Sequence, residues 1–420
     1  MSETIQNPQN PQVLLSERPH IGIFGDTNAG KSAIFNRILG QEMAIVSDIR
    51  GTTTDPLIKA MELAPYGAVA LIDTAGLGDI TALASARENK TRQMLRRTTL
   101  ALYVADVARF NKSSYADMQN EFHRYDIPHI LVFSKIDTAD PKDLDALRET
   151  YPKSAFVSIY DNYDNNHDNQ SMDTLKSRIA DELEALESES EASPDARERG
   201  LLGDILPKGS TVVLVIPIDS ETPRGRLILP QVQLIRECLD FEIKCVIVPP
   251  ALLEETIRQH AHVDLVVTDS QIFDAVADIV PRNVLLTSFS MLFARKKGDL
   301  ATQLRGAGAI DTLNDGDSIL IAEACSHTTT HEDIGTVKIP ALLRKTTGRE
   351  FRFEFMQGHD FPENIANYAM IIHCGACMIT DAEMRSRIKL AAAHDIPITN
   401  YGMAIAKLTG ILERVSEVFK

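Results

Sequence analysis

Short apolar runs alternate with amphipathic stretches along the first 185 residues of the chain. Five runs have the length and the β-branched content of buried strands: residues 20–24, 68–72, 99–105, 129–133 and 155–158. Three stretches between them repeat their apolar residues at helical spacing: residues 31–39, 81–97 and 114–125. This alternation of strands and helices predicts a mostly parallel, doubly wound α/β domain over residues 19–185.

Polar segments lie on both sides of this domain. Residues 1–18 are rich in Asn, Gln and Pro and lack the basic-then-apolar layout of a signal peptide, so we predict a flexible tail. Residues 186–200 are rich in Glu and Ser, contain a proline and lose the apolar periodicity. This composition predicts an acidic linker.

Two further α/β blocks occupy the second half of the chain. The first has strand-like runs and helical stretches in alternation: strands at 211–216, 242–248, 264–268 and 284–287, helices at 230–239, 252–259 and 271–279. The second has strand-like runs at 318–322 and 368–373. We place the border between them near residue 290, which predicts domains at 201–290 and 291–420.

Composition limits the class of protein. The chain has 420 residues, of which 44% are hydrophobic and 24% are charged, as is typical of globular proteins. Its formal net charge of -16 argues against broad binding to nucleic acid, and its one short basic run is Arg295-Lys296-Lys297. No apolar run approaches the roughly 20 residues of a membrane-spanning helix, so we expect no membrane association and a cytoplasmic location. An odd count of five cysteines is a poor basis for disulfides.

A phosphate-binding loop follows the first predicted strand directly. The loop has the pattern Gly-x-x-x-x-Gly-Lys-Ser and opens the helix predicted over residues 31–39. Its backbone N–H groups point at phosphate oxygens, Lys31 reaches the β- and γ-phosphates, and Ser32 binds Mg²⁺. We predict that the nucleotide is bound by Gly25, Asp26, Thr27, Asn28, Ala29, Gly30, Lys31 and Ser32.

Later segments identify the nucleotide as GTP. The sequence Ser134-Lys135-Ile136-Asp137 resembles the guanine-reading Asn-Lys-x-Asp element of GTPases, with a serine in place of the asparagine. The Asp137 carboxylate accepts two hydrogen bonds from guanine for which adenine has no donors, and Lys135 lays its aliphatic stem over the base. Ser158 stands where a last base-contacting loop is expected.

Two segments between these elements supply the remaining contacts to Mg²⁺ and to the γ-phosphate. Thr53 is the candidate for a second hydroxyl ligand of Mg²⁺ from a switch loop. Asp73 ends a predicted strand and is expected to hold Mg²⁺ through water, while the N–H of Gly76 meets the γ-phosphate. We therefore predict that Lys31, Thr53 and Gly76 are the catalytic residues of GTP hydrolysis.

Together, these elements resemble the GTPases of the Era and MnmE type. In that group an Asn at the position of Asn28 marks enzymes that use K⁺ as well as Mg²⁺, so the resemblance implies a K⁺ site at Asn28. A simple turn residue is the alternative interpretation of Asn28. Leu77 stands where some GTPases carry a water-orienting Gln, so we expect slow intrinsic hydrolysis.

Cysteine and histidine residues gather after two predicted strands near the end of the chain: Cys325, His327, His373, Cys374 and Cys377. Because ligands collect at the carboxyl ends of parallel strands, we expect these side chains to meet. Three cysteines and a histidine suit a structural zinc ion. Three thiolates equally suit a [4Fe–4S] cluster whose fourth iron takes a histidine or an exchangeable ligand. A redox-active Cys-x-x-Cys pair and metal-free buried thiols are the other interpretations.

A phosphate-loop GTPase joined to this cysteine set resembles one family closely, namely HydF, the GTPase and iron–sulfur scaffold that matures [FeFe]-hydrogenase. The resemblance covers nearly the whole chain after the tail. It extends to segments to which the sequence assigns no chemistry: residues 223–231, 267–271, 287–290, 294–295 and 397–402.

The resemblance implies three α/β domains: the GTPase domain, a dimerisation domain at 201–290 and a cluster-binding domain at 291–420. It implies that Cys325, Cys374 and Cys377 hold a [4Fe–4S] cluster, with His327 or His373 as the candidate fourth ligand. It also implies a homodimer or larger homo-oligomer that receives a di-iron precursor from the radical-SAM maturases HydE and HydG. The precursor is then delivered to apo-[FeFe]-hydrogenase.

The predicted GTP and metal sites lie in different domains, so hydrolysis is not expected to be the chemistry of cluster assembly. We hypothesise that GTP and K⁺ control association with partner proteins by ordering residues 50–56 around the γ-phosphate. Two other functions fit the same motifs. One is an assembly GTPase with a structural zinc domain, against which the negative charge speaks; the other is a GTP-switched redox or metal sensor.

Overall fold

The computed structural model describes residues 15–40, 57–73, 84–158, 168–192, 200–218, 225, 227–324, 333–362 and 364–420. These residues form two compact units, with the border between Ser190 and Glu191. In the described residues, no helix is both long enough and apolar enough to cross a membrane.

A six-stranded sheet forms the centre of the described part of the first unit. Its strands are β1 His20–Gly25, β2 Leu57–Leu63, β3 Gly67–Asp73, β4 Leu100–Asp106, β5 His129–Ser134 and β6 Ala155–Phe156. They lie in the order β2-β3-β1-β4-β5-β6, and every neighbouring pair is parallel except β2 with β3. The accompanying helices are α1 Lys31–Leu39, α2 Ala84–Arg97, α3 Lys112–Arg124, α4 Pro141–Thr150 and α5 Asp168–Ala192.

Helices cover both faces of this sheet, which confirms the doubly wound fold. On one face, Ile34 of α1 and Ile179 of α5 pack with Leu102 of β4. On the other face, Met94 of α2 and Phe122 of α3 pack in a second cluster. The strands are buried on both sides, so they carry the continuous apolar runs seen in the sequence.

Both polar segments that flank this domain in the sequence contain ordered structure next to it. Helix α5 continues to Ala192, seven residues into the segment 186–200 that was predicted to be a linker. Glu and Ala are strong helix formers, so an acidic stretch extends a helix whose other face is solvated. At the amino end, residues Leu15–Glu17 form a 3₁₀ turn, and Arg18 Nη1 donates to the Met61 carbonyl at 3.2 Å.

The second unit contains two four-stranded parallel sheets in its described residues. Their strands are β7 Thr211–Val215, β8 Lys244–Val248, β9 Leu265–Thr268, β10 Leu285–Ser288, β11 Ser318–Glu323, β12 Arg352–Gln357, β13 Met370–His373 and β14 Ile398–Asn400. The orders are β10-β9-β7-β8 and β12-β11-β13-β14. The helices are α6 Leu229–Asp240, α7 Leu253–Gln259, α8 Phe273–Ile279, α9 Phe289–Lys297, α10 Leu300–Gly308, α11 Ile339–Thr347, α12 Asp381–Ala393, α13 Tyr401–Leu408 and α14 Leu412–Ser416.

The two sheets share helices, so the border predicted at residue 290 does not divide them. That border falls inside α9, whose Leu292 and Phe293 pack against Leu214 and Val267 in the core of the β7–β10 sheet. The chain also returns to this core at its end, where Val415 of α14 is fully buried. Sequence periodicity did not reveal this return because α13 and α14 are short.

Three of the segments without assigned chemistry meet where the two sheets join. Ser290 Oγ lies 2.6 Å from Ser270 Oγ, and Asn400 Nδ2 donates to the Ser290 carbonyl at 2.9 Å. A side chain at Gly402 would collide with both serine hydroxyls. These segments therefore hold β14 and α13 of one sheet against β9 and β10 of the other.

Candidate functional site

The phosphate-binding loop turns sharply between β1 and α1. Gly25 has a φ of +135°, and any side chain there would overlap the Val104 carbonyl of β4. Gly30 has a φ of +90° directly before α1 begins at Lys31, and Asn28 has a φ of +63°. Glycine tolerates such angles and asparagine adopts them more readily than most residues, which explains this spacing of the sequence.

Lys31 lies across the loop that it follows. Its Nζ donates to the carbonyls of Gly25 at 2.9 Å and Asp26 at 2.7 Å. Burial lowers the Lys31 pKa, while the carboxylates of Asp26 and Asp73 oppose this effect. The ammonium group is therefore held beside the backbone amides that point at phosphate in such loops.

The residues predicted to read guanine converge at the carboxyl ends of β5 and β6. Ser158 Oγ donates to Asp137 Oδ1 at 2.8 Å, which fixes the carboxylate. Lys135 has a φ of +58°, and its Nζ donates to the Asn28 carbonyl at 2.7 Å and to Asp106 Oδ2 at 2.8 Å. The base-reading element is thus tied to the phosphate loop.

Ser134 makes a contact that the sequence did not reveal. Its buried hydroxyl donates to the Ala29 carbonyl at 2.6 Å and lies 3.2 Å from the Ala105 carbonyl. The serine that replaces the usual asparagine therefore joins the end of β5 to the phosphate loop. Asp106, which anchors Lys135, was also missed, because an acidic strand end carries no motif.

The predicted Mg²⁺ ligands that can be described lie at this same edge of the sheet. Ser32 is an exposed residue in the first turn of α1. Asp73 is the last residue of β3, in register with Ile23 of β1. Thr53 and Gly76 lie outside the described residues, and so does the loop at residues 50–56.

The second candidate site lies at the carboxyl edge of the β11–β14 sheet. Strands β11 and β13 are parallel neighbours, and the Cys374 N–H donates to the Ala322 carbonyl at 2.8 Å. Two backbone amides approach the Cys374 sulfur: those of Ala324, at 3.0 Å, and Ala376, at 3.5 Å. Ala376 has a φ of +57° within the tight Cys-x-x-Cys turn. Cys325 and His327 lie outside the described residues.

Burial raises the pKa of both thiols of the Cys-x-x-Cys turn. Desolvation raises the pKa of Cys374 to about 11, although the two amides favour the thiolate. Burial also raises the pKa of Cys377, and the nearby Lys297 ammonium opposes this rise. Both groups are therefore protonated thiols at neutral pH, and binding a metal would require each to release a proton.

His373 is fully buried, and both of its ring nitrogens are engaged. Arg387 Nη1 lies 2.8 Å from Nε2 and can only donate, so Nε2 is the acceptor. Nδ1 consequently carries the hydrogen and donates to the Cys374 carbonyl at 2.9 Å. Arg387 is in turn paired with the buried carboxylate of Glu383 at 2.7 Å. In this arrangement His373 supports the Cys374 backbone and offers no nitrogen to a metal.

Among the described residues, His, Cys, Asp and Glu side chains form no group of three placed to hold a metal ion. The predicted ligand set includes Cys325, which is outside that part of the chain. Sequence reasoning missed two residues that surround the Cys-x-x-Cys turn, Arg387 and Lys297. Neither belongs to a motif, and the sequence alone does not show whether a basic side chain is buried or exposed.

Comparison with known proteins assigns the second unit to two family domains. A family model described as the hydrogen maturase F dimerization domain matches residues 201–298. A second model, described as the hydrogen maturase F tetramerization domain, matches residues 301–418, so that the two together span more than half of the chain. The chain belongs to the hydrogen maturase F (HydF) family. Cys374 and Cys377 lie in the region that matches the tetramerization model, residues 301–418.

The first unit is a GTPase domain. A model described as a 50S ribosome-binding GTPase matches residues 20–135. GTPase Der of Nitratiruptor sp. is 30% identical over 147 residues, which cover 34% of this chain and 32% of that protein. The tRNA modification GTPase MnmE of Legionella pneumophila is 36% identical over 140 residues, which cover 32% of this chain and 31% of that protein. The chain thus spans about a third of the length of these curated relatives.

Among solved structures, Era of Aquifex aeolicus bound to GDP and AlF4⁻ matches with a TM-score of 0.30 and 15% identity, covering 59% of this chain and 99% of that one. The resemblance to Era and MnmE type GTPases and to HydF that the motifs indicated is confirmed by the family matches.

Proposed function

We propose that this protein is a GTPase that carries a [4Fe–4S] cluster and delivers the di-iron subcluster to apo-[FeFe]-hydrogenase. Membership of the HydF family supports a role in hydrogenase maturation. The single observation that carries the cluster assignment is the hydrogen bond of 3.0 Å from the Ala324 amide to the Cys374 sulfur.

That hydrogen bond bears directly on Cys325. Consecutive Cα atoms are about 3.8 Å apart, so Cys325 follows directly on a residue that already touches the Cys374 sulfur. Cys377 lies three residues after Cys374, in the same Cys-x-x-Cys turn. In the proposed site, Cys325 would join Cys374 and Cys377 as the third thiolate, a set that suits a [4Fe–4S] cluster with one iron left to another ligand. Backbone N–H groups aimed at a cysteine sulfur are among the features that set the potential of such clusters.

The fourth iron position is the place for an exchangeable ligand. Both nitrogens of His373 are engaged by Arg387 and the Cys374 carbonyl, which leaves His327 as the histidine of the proposal. A cluster with one weakly held position supplies an attachment point for the di-iron cargo, which must later leave. HydE and HydG are the proposed suppliers of this cargo.

We propose the following roles in GTP hydrolysis for the residues of the nucleotide site. We assign the β- and γ-phosphates to Lys31, Mg²⁺ to Ser32, Thr53 and Asp73, and the γ-phosphate amide to Gly76. K⁺ is assigned to Asn28, next to the carbonyl that binds Lys135. Asp137, held by Ser158, selects guanine.

GTP is proposed to act as a control element in the cytoplasm, by ordering residues 50–56 when the γ-phosphate is present and so changing the affinity for partner proteins. Replacing Lys31 by Ala removes the phosphate contact and is expected to slow maturation of apo-hydrogenase. Maturation at the wild-type rate with Lys31→Ala, once nucleotide binding is shown to be lost, would remove this role.

The homo-oligomer is proposed to form on the β8 side of the second unit. β8 is at the edge of its sheet, and Ile247 on it is 46% exposed. Leu239 and Phe241 at the end of the neighbouring helix α6 are 67% and 47% exposed. An edge strand beside exposed apolar side chains is a surface that a second copy of the chain can cover.

Anaerobic reconstitution with iron and sulfide tests the cluster assignment. We expect a brown protein with an EPR signal after reduction, four irons per chain, and loss of the signal in Cys325→Ser, Cys374→Ser or Cys377→Ser. Cys245→Ser, a half-buried cysteine of β8, is the matched control and should retain the signal. A colourless protein that binds one zinc ion would instead establish the structural-zinc alternative.

A further inference from the structure

A lysine is buried directly beneath the Cys-x-x-Cys turn. Lys297 is the last residue of α9, and only 3% of it is exposed. Lysine is almost never this deeply buried unless its charge has partners, since desolvating an ammonium group is costly. The position therefore calls for an explanation beyond packing.

The ammonium group is aimed at the backbone of the turn. Lys297 Nζ donates to the carbonyls of Ile379 at 2.9 Å, Ala376 at 3.3 Å and Cys377 at 3.5 Å. A carboxylate oxygen of Asp381 lies 3.9 Å away, at the start of α12. One ammonium group thus binds three carbonyls within residues 376–379. These carbonyls belong to the part of the turn that carries Cys377.

The support for Lys297 comes from the other sheet. Phe289, Leu292 and Phe293, earlier on α9, are buried in the core of the β7–β10 sheet. α9 is therefore anchored at its beginning by the part of the chain that matches the dimerization model, residues 201–298. Its last residue reaches into the part that matches the tetramerization model, residues 301–418.

We propose that Lys297 is a positioning residue for the cluster: it holds the Cys374-to-Cys377 turn in its ligating shape and places a fixed positive charge beside the thiolates. This inference rests on the proposed cluster-carrying function. A cluster held by three thiolates is anionic and becomes more so on reduction, so a fixed cation next to it favours the reduced form and strengthens retention of iron. The dimerisation domain would then contribute an essential group to a site whose cysteines all lie outside it.

Four variants separate the charge of Lys297 from its hydrogen bonds. Lys297→Met removes both, Lys297→Gln keeps a donor without the charge, and Lys297→Arg keeps the charge. Lys296→Met is the matched control, because it removes the same charge one residue earlier on α9. Each protein is reconstituted anaerobically, and two quantities are measured: the midpoint potential of the cluster and the rate at which a ferrous chelator removes iron.

Lys297→Met is expected to lose iron about tenfold faster than the wild type, as befits loss of a charge-assisted hydrogen bond. Its midpoint potential should be lower, with Lys297→Gln equally low and Lys297→Arg close to the wild type and to Lys296→Met. Equal potentials in the Gln and Arg variants, or a shift of the same size in Lys296→Met, would overturn the proposal. The Gln and Arg variants keep donors to the turn, so they carry the test if Lys297→Met does not fold.

Failure of the underlying function gives a different result. If the wild-type protein takes up no iron–sulfur cluster, the proposed function is wrong whatever the variants do. If the wild type is loaded and the Lys297 variants match it in both measurements, the scaffold function stands and the role of Lys297 is rejected.

Discussion

The hydroxyl of Ser158 donates a 2.8 Å hydrogen bond to Oδ1 of Asp137 and so fixes the carboxylate that is predicted to read guanine. The two residues come from the ends of neighbouring strands, β6 and β5, and are brought together only by the sheet. An aligned carboxylate loses little freedom on binding its base, which favours a specific nucleotide site.

Asp137→Asn tests this relationship by exchanging an acceptor for a donor while leaving an oxygen for Ser158. We expect GTP affinity to fall by about 100-fold, because guanine N1–H and N2–H₂ lose a charged acceptor worth roughly 1.5–3 kcal/mol. Xanthosine triphosphate, which has a carbonyl in place of the amino group, should bind better than to the wild type. Affinities measured by fluorescence titration check both changes. Asp145→Asn, exposed on α4, is the control, and equal GTP affinity in the two variants would exclude base reading by Asp137.

Asn28→Gly tests the K⁺ site without disturbing the loop, because glycine accepts the φ of +63°. If the Asn28 side chain holds K⁺, the ratio of GTP hydrolysis rates in K⁺ and Na⁺ buffers should fall to about one, since the cation loses a ligand. Asp126→Gly makes the same backbone change at a residue with φ of +52° and should keep the wild-type ratio. An unchanged ratio in Asn28→Gly would leave Asn28 as a turn residue.

The buried His373 predicts an acid sensitivity of the metal-free protein. Burial beside Arg387 lowers its pKa to about 3, so the folded state keeps the ring neutral while the unfolded state protonates it below its ordinary pKa of 6.5. Stability therefore falls as the pH falls from 6.5 towards 3. Between pH 6.5 and 4.5 this single group costs roughly 2 kcal/mol, because the ring is already half protonated in the unfolded state at pH 6.5 and each further pH unit adds at most about 1.4 kcal/mol.

His373→Gln provides the comparison, because glutamine does not titrate and can still accept from Arg387. In urea unfolding of the metal-free proteins, the wild type should lose roughly 2 kcal/mol more than the variant over that pH range. The variant is expected to be less stable at pH 7, where it lacks the imidazole packing. Parallel pH dependences of the two proteins would mean that His373 is not held neutral.

Ile247→Asp tests the proposed oligomer surface on β8. Burying a carboxylate against a second copy is costly, so the substitution should convert the oligomer to a smaller species at micromolar concentration. Light scattering after size-exclusion chromatography measures the mass. Ala146→Asp, exposed on α4 of the GTPase unit, should leave the mass unchanged. A wild-type mass for Ile247→Asp would place the interface elsewhere.

The GTPase unit was predictable because its chemistry is local in sequence. The loop from Gly25 to Ser32 lies on one strand-to-helix turn, and each predicted strand of this unit was found within two residues of its expected ends. Strand β2 was missed because it lies at the edge of the sheet, where Lys59 and Glu62 interrupt its apolar run without a period of two. In the sequence, Ser134 was visible only as a departure from the guanine-reading motif, because Ala29, the residue that it contacts, lies 105 residues earlier in the chain.

The second unit was less predictable because its two sheets share helices, and because two of its strands carry weak signals. β12 exposes four of its six residues and β14 has only three, so neither has a strong period. The Cys and His residues that follow the two strands correctly predicted that β11 and β13 are neighbours in one sheet. The burial of Lys297 could not be inferred, because the basic run to which it belongs has the composition of a solvated helix end.

Activation of separately produced apo-[FeFe]-hydrogenase tests the scaffold function most directly. The protein is loaded in the presence of HydE and HydG, reisolated, and mixed anaerobically with the apo-enzyme, after which hydrogen evolution is measured. Wild type and Cys245→Ser should restore activity, and Cys374→Ser should restore none. Equal activation by Cys374→Ser, or none by a wild-type protein shown to carry its cluster, would contradict a role in delivery of the di-iron subcluster.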